Sequence, residues 1–412
     1  MTTRDDELRA DIRRLGNQLG EALVRQHGQE LLDLVEEVRS LGKSARRGGS
    51  TDAAADLHAL LGKLDTPDVI PLVRAFTTYF YLANVAEQVH RIEEMASDDR
   101  YLRATVDRIL EAGLDQDLID DVVSRFEVRP VFTAHPTEAA RRSILTKRGD
   151  IATLITQRLD AANPDQIDLI DRRSAELIDQ IWQTDELRTE RPTVVDEARS
   201  ALYYLVALAD DVLPSLTEIL DTQLERLSSA THPAALRFGT WVGGDRDGNP
   251  GVTAQTTLEA LALQHDRGLT LLIEEVEELS EELSMSSQLT DPSDELIESL
   301  REDRQLLPGI WQRERSRTAD APYRLKCSYI HARLRNTRAR IKSGSAHVPG
   351  HDYSHPDQLV AELDLMANSL RKSRGQLIAS GVVARVRRAA QMLGFQMAIL
   401  DVRQHSARHS AA

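Results

Sequence analysis

The sequence predicts a mostly α-helical protein carrying three strands of an incomplete (β/α)8 barrel. Three observations predict it. Apolar residues recur at intervals of three and four over most of the 412 residues, three short apolar runs interrupt that period, and each run ends in polar residues that include His or Arg. The first two runs are followed by a new helical pattern, the arrangement of parallel β/α units, whose active sites lie at the carboxyl ends of the strands. Three strands cannot close a barrel of eight. The expected division is a helical region over residues 1–126 and, over 127–412, the first part of the barrel with long helical insertions, the remaining strands lying outside this chain.

The composition agrees with a helical, globular chain. Hydrophobic residues make up 41%, charged residues 28% and aromatics only 4%, while Leu, Ala, Glu, Arg and Asp dominate. No apolar run approaches the roughly 20 residues that span a bilayer, so no membrane segment is expected. The net charge of −15 lacks the basic footprint of a nucleic-acid binder, yet leaves room for an anionic substrate, because local arginines set the field inside a cleft. The start, MTTRDDELRADIRR, has no apolar core and carries acidic residues, so neither a secretory nor a transit signal is expected. One cysteine, Cys327, permits no internal disulfide and suits a reducing cytoplasm. With no His or acidic pattern beside it, it reads as a buried structural thiol.

Along the chain, Leu8, Ile12, Leu15, Leu19, Leu23 and Val24 form the stripe of a helix from Asp6 to Gln26. Gly28 breaks it. A second helix carries Leu31, Leu34, Val35, Val38 and Leu41 until Gly42–Ser50, which reads as a loop. Two more helices lie between Ala54 and Met95, separated near Thr66 and Pro67. The second is apolar from Ala75 to Ala86 and is expected to be deeply buried, its polar end with His90 and Arg91 facing solvent or a partner, a solvated helix end being the simpler reading.

The stretch Val128–Ser143, VRPVFTAHPTEAARRS, then changes character in the middle. Val128, Val131 and Phe132 read as a strand. His135 stands before Pro136, which disfavours helical geometry at His135 and suits the first position of a helix. Thr137 and Glu138 fall in that helix's first turn, and Arg141 and Arg142 follow one turn on. A histidine beside a helix N-terminus and two guanidiniums makes a place for an anion.

Helices are expected over Ile144–Ala161, Gln166–Glu186 and Thr193–Ala230, with Trp182 read as a core residue among the surface charges of IWQTDELRTERP. The second interruption, FGTWVGGDRDGNPGVT, ends a strand at Trp241 and Val242 and continues into a loop of turn formers. Two readings stand for it. In one, Asp247 and Asn249 bond their own backbone and Arg246 is an ion-pair hub; in the other, Arg246 handles an anion while Asp245 and Asp247 hold it in position. Thr253 caps a long helix after it. Charged helices follow to Lys342, the last opening at Pro322.

Lys342–Gln358 is the longest loop-like stretch. Its His347, His351 and His355 fall four apart, but Pro349, Gly350 and Pro356 forbid the helix that spacing needs, so a surface loop or lid is expected rather than zinc ligands. After helices at Gln358–Leu370 and Val382–Leu393, Phe395–Leu400 reads as the third buried strand. Asp401, Arg403, Gln404, His405 and Ser406 sit at and beyond its end, with no helix behind it.

Three motifs in this order, VFTAHPTEAARR, WVGGDRDGNP and LDVRQHSARH, resemble the bacterial-type phosphoenolpyruvate carboxylases. DIRRLGNQLGEAL, RAFTTYFYLANVAEQVHR, IWQTDELR and APYR agree with them. The resemblance implies carboxylation of phosphoenolpyruvate by bicarbonate to oxaloacetate and phosphate, with Mg²⁺ or Mn²⁺, in an allosteric, cytoplasmic homotetramer. It assigns His135 as general base, Arg403 to substrate oxyanions and Arg246 to the same mouth. Thr137, Arg141, Arg142, Asp245, Asp247 and Gln404 are supporting residues. Family members run on well beyond this length, with the metal ligands, a glycine-rich loop and a catalytic lysine in the continuation. This chain is therefore expected to be an N-terminal part, inactive alone; the alternative is a non-catalytic helical module for oligomerisation or binding.

Overall fold

The computed structural model describes residues 3–46, 51–96, 100–133, 141–185, 192–229, 234–247 and 249–410. The first helices are α1 (Thr3–His27), α2 (Gln29–Arg46), α3 (Thr51–Leu61), α4 (Thr66–Ala96), α5 (Arg100–Glu111) and α6 (Gln116–Ser124). Strand β1 (Val131–Phe132) precedes α7 (Arg142–Leu159), α8 (Pro164–Gln183), α9 (Val194–Asp211) and α10 (Leu213–Leu227). Strand β2 (Gly239–Thr240) precedes α11 (Ala254–Glu282), α12 (Asp294–Leu306), α13 (Pro308–Thr318), α14 (Pro322–Ser343), α15 (Pro356–Lys372) and α16 (Gln376–Ile378). A π-helical turn, Ala379–Val383, leads into α17 (Ala384–Leu393), then β3 (Ile399–Leu400) and α18 (Ser406–Ser410). The chain packs as two units, Met1–Tyr101 with Glu138–Arg191, and Leu102–Thr137 with Pro192–Ala412.

In the first unit the stripe of α1 buries Leu15, Leu19, Ala22 and Leu23 against α2, α4 and α8. Gly28, at φ +88°, separates α1 from α2, and α2 continues to Arg46 where a loop from Gly42 was expected. The apolar centre of α4 is not buried all round. Leu72, Ala75, Leu82, Val85 and Ala86 are in the core, but Phe80 is 58% exposed. Over Thr66–Ile92 this helix is long and apolar enough to cross a membrane by length and composition, which corrects the expectation that no run approaches that length; here its inner face is packed in the core.

His90 is also a correction. It is buried, with Nε2 3.0 Å from Oδ2 of Asp11, which is buried too. The buried carboxylate on α1 needs such a partner, and α4 supplies it through His90, where sequence spacing alone suggested a solvated helix end. Trp182 is in the core as expected, with the Arg74 guanidinium 4.9 Å from its ring centroid and donating to the carbonyls of Trp182 and Thr184.

The second unit holds the sheet. Three strands pair in parallel in the order β1-β2-β3, with Phe132 opposite Thr240 and Thr240 opposite Leu400. This is a small parallel sheet in a mostly helical chain, as a partial barrel would have. Each strand is only two residues long: Trp241 and Val242 are already in the turn, and Phe395–Ala398 make a bend in which Met397 takes φ +63°. The expected helix Thr193–Ala230 is two helices, α9 and α10, because Pro214 removes a helical donor just after Val212. A short helix, α18, does follow β3; the ring of His405 accepts from the amide of Ala407 at its start.

The main core of this unit lies between α11, α12, α14 and α15. Inside it, Lys326 is fully buried, with Nζ 2.7 Å from Asp303 and 3.1 Å from Glu362. Arg333 pairs with the same two carboxylates, and the Tyr353 hydroxyl donates to Glu362. The stretch between α14 and α15 is tied down by these groups, which corrects the lid reading. Arg333 donates to the Gly350 carbonyl, Asn336 to that of His351 and Arg340 to that of Tyr353. The three histidines have separate partners: His347 bonds Asp352, the carbonyl of His351 accepts from Asn336, and His355 caps α15. Cys327 is buried, and burial pushes its thiol up to about 12.

Candidate functional site at the strand ends

Position 239 of β2 is glycine because β1 lies close: a Cβ there would sit 3.1 Å from the Val131 side chain. Beyond β2 the backbone turns sharply at Gly243 and Gly244. Gly243 takes φ +89° and leaves room for only hydrogen, since a Cβ would lie 2.6 Å from Ala260 of α11. Gly244 backs onto the end of β3, where a Cβ would be 2.3 Å from the Asp401 carbonyl oxygen. The close approach lets the two chains pair beyond the strands. The Arg403 amide donates to Gly244 at 2.9 Å, and the Arg246 amide donates to Arg403 at 2.9 Å. Asp245 and Arg403 thus stand side by side as a parallel bridge.

Trp241 is held at the centre of this corner. Its amide donates to the Phe132 carbonyl at 2.8 Å, and its own carbonyl accepts from the amides of Gly244 and Asp245. The guanidinium carbon of Arg403 lies 3.9 Å from the centroid of the Trp241 ring. Nε of Arg403 is 3.5 Å from Oδ1 of Asp245, which also accepts from the Asp247 amide at 3.3 Å. The guanidinium is therefore backed by an aromatic face and by a carboxylate on its Nε side, while Nη1 and Nη2 have no hydrogen-bond partner among the described residues.

Arg246, on the same loop, has its Nε buried and without a hydrogen-bond partner among the described residues. Asn249 Oδ1 accepts from the Gly251 amide. Thr253 caps α11 through a capping box with Thr256, and the Thr257 hydroxyl donates to the Gly243 carbonyl at 2.7 Å, fixing the turn to the helix. The two readings of the loop meet here. Asp247 and Asn249 take part in local turn bonds, while the partner of Asp245 is Arg403 rather than Arg246.

The sheet thus brings together Arg403, Asp245, Asp247 and Arg246. Gln404 follows, its Oε1 accepting from the His405 amide. His135 and Thr137 lie outside the described residues. Arg141 is the N-cap of α7 with an extended backbone at ψ 143°, so α7 itself opens at Arg142 and does not run on from Pro136. Its guanidinium donates to Asp185 at 2.9 Å, and both Arg141 and Arg142 belong to the first unit. Sequence reasoning missed Trp241, read only as a strand end. The available signal was its place one residue before a Gly-Gly turn that ends in Asp and Arg.

Among the described residues no group of three or more His, Cys, Asp or Glu is placed to hold a metal ion.

The family model described as phosphoenolpyruvate carboxylase matches residues 8–412. Among curated relatives, a phosphoenolpyruvate carboxylase of Roseiflexus castenholzii is 35% identical over 99% of this chain and 45% of its own length. One of Xanthomonas oryzae pv. oryzae is 35% identical over 100% of the chain and 46% of the relative, and one of Rhodopseudomonas palustris is 34% identical over 98% and 44%. The chain spans about half the length of the curated relatives it matches.

Proposed function

Because the chain belongs to the phosphoenolpyruvate carboxylase family, we propose that it contributes part of a site that joins phosphoenolpyruvate to bicarbonate, giving oxaloacetate and phosphate. The observation that supports the reading is the pairing of β1, β2 and β3 in one parallel sheet, with Trp241, Asp245 and Arg403 of two of the family's motifs side by side beyond β2 and β3. Phosphoenolpyruvate presents a carboxylate and a phosphate, and a guanidinium with two free N–H edges matches such planar or trigonal oxyanions in a bidentate way. Arg403 provides that fork. Arg246 adds a second cation on the neighbouring loop, its buried Nε lacking a protein acceptor among the described residues.

In the reaction, a bicarbonate oxygen attacks phosphorus, and the bond from phosphorus to the enol oxygen breaks with its electrons left on that oxygen. Carboxyphosphate and the enolate of pyruvate result. Loss of the carboxyphosphate proton to a base then lets the carbon–oxygen bond break to carbon dioxide and phosphate, and the enolate carbon captures the carbon dioxide. His135 is the base in this reading, since an imidazole with a pKa of about 6.5 accepts a proton near neutral pH. Arg403 and Arg246 hold the anions together and balance the charge that gathers on phosphate and enolate. Thr137, Arg141, Arg142 and Gln404 are supporting residues on the resemblance.

Mg²⁺ or Mn²⁺ would supply further neutralisation of the phosphoryl oxygens. The described residues offer no ligand set for it, and its ligands are proposed to lie in the length that relatives have beyond this match. The homotetramer, the allosteric control and the cytoplasmic location are proposed on the same resemblance.

The test is oxaloacetate formation by a family-length protein containing these 412 residues, coupled to malate dehydrogenase with phosphoenolpyruvate, bicarbonate and Mg²⁺. Turnover is expected, and Arg403→Gln should raise the KM for phosphoenolpyruvate by about tenfold or more, the loss of a charge-assisted pair. A folded, inactive protein, or an unchanged KM, contradicts the reading.

A further inference from the structure

We infer that Trp241 is a positioning residue for substrate recognition: its indole face fixes the plane of the Arg403 guanidinium so that the Nη1 and Nη2 edge meets an oxyanion of the substrate. The inference rests on the reading of Arg403 as a substrate-binding residue. It stands on three observations at one corner. The Arg403 guanidinium carbon lies over the Trp241 ring, 3.9 Å from its centroid, close enough for cation–π attraction. Asp245 lies on the Nε side at 3.5 Å, leaving the two terminal nitrogens without a partner among the described residues. The ring's own backbone is anchored on both sides, to Phe132 of β1 and to the amides of Gly244 and Asp245.

An arginine at a strand end would otherwise sweep many rotamers, and ordering it on binding costs free energy. Packing over a half-buried indole orders it beforehand. Phe132 anchors Trp241, Trp241 sets Arg403, and Asp245 restrains rotation about the guanidinium axis, so the register of the sheet is passed to the fork. The arrangement also explains why lysine would not serve here: an ammonium has no plane to stack and no fork to present.

The experiment is a double-mutant cycle in the family-length enzyme, measuring KM for phosphoenolpyruvate and kcat separately for Trp241→Leu, Trp241→Phe, Arg403→Gln and the Leu/Gln double variant. Trp241→Leu is expected to raise KM by about 5- to 30-fold, the range a partly desolvated cation–π contact supports, with a smaller fall in kcat. Trp241→Phe, which keeps an aromatic face, should recover most of that loss. In the Arg403→Gln background the leucine change should add little, because the group it positions is gone. Effects that multiply in the double variant, or a loss confined to kcat, overturn the inference. If Trp241→Leu does not fold, Trp241→Met, which also lacks an aromatic face, carries the same cycle: a KM rise that disappears with Arg403→Gln supports positioning, and no rise, or one that persists, refutes it. An Arg403→Gln enzyme with unaltered KM instead refutes the substrate-binding role of Arg403 itself, a failure distinguishable from that of Trp241.

Discussion

Gly244 shows how much of this corner depends on single atoms. A methyl group there would come 2.3 Å from the Asp401 carbonyl oxygen, a backbone atom that cannot turn aside. Gly244→Ala is therefore expected to cost about 1–3 kcal/mol by overpacking and to pull Arg403 out of register. Urea unfolding reads the first effect and KM for phosphoenolpyruvate the second. Asp11 makes the same point in the other unit. Asp11→Ala leaves the buried His90 ring without its carboxylate and should cost about 1–3 kcal/mol, again read by urea unfolding. The GGDRDGN run was legible as a special turn because so many turn formers together admit few other structures. The His90 pair was not legible, since its partner lies far away on α1 and no local pattern announces a contact between distant helices.

At the scale of elements, α12, α14 and α15 are joined by Lys326, Arg333, Asp303 and Glu362 in a nearly dry setting. Removing one member leaves charges buried and unpaired, so Asp303→Ala is expected to cost about 3–5 kcal/mol. On α14, Cys327 should be inert to thiol reagents at pH 8 in the native protein and react once denaturant is added, because a thiol pushed up to about 12 holds almost no thiolate at that pH. On α11, burial raises the carboxyl of Glu275, and Arg385 opposes that shift. A folded value above the unfolded one means that ionisation costs stability as pH rises past about 4.3, the unfolded value. Glu275→Gln should then raise the melting temperature at pH 7 and leave it little changed near pH 3.5, where the carboxyl is protonated in both states. The helices themselves were legible from their apolar period and from Thr253, Pro322 and Gly28. Their ends were not, as at α2, where Gly42 sits inside the helix with open space beside it, and at Val212, where one proline splits a continuous pattern.

At the scale of the whole molecule, the sheet has two edges, β1 and β3, and β2 between them. Val131 on one edge is 39% exposed, and Val402 beyond the other is 59% exposed. Short parallel strands whose edges carry no further strand among the described residues, with apolar neighbours, invite pairing with other chains. The 412-residue chain on its own is therefore expected to associate with rising concentration, and Val402→Lys to weaken that association in sedimentation velocity. A small parallel sheet in a mostly helical chain was legible in the sequence, because three short apolar runs interrupt the helical period and the first two are each followed by a new helix. The central claim is that they frame a carboxylation site with His135 as its base. The direct measurement is His135→Asn in the family-length enzyme, with oxaloacetate formation and phosphoenolpyruvate binding assayed on the same preparation. The account expects turnover to fall by about 10²-fold or more, the scale of a lost general base, with binding largely retained. Near-normal turnover, or loss of binding and turnover together, would contradict it.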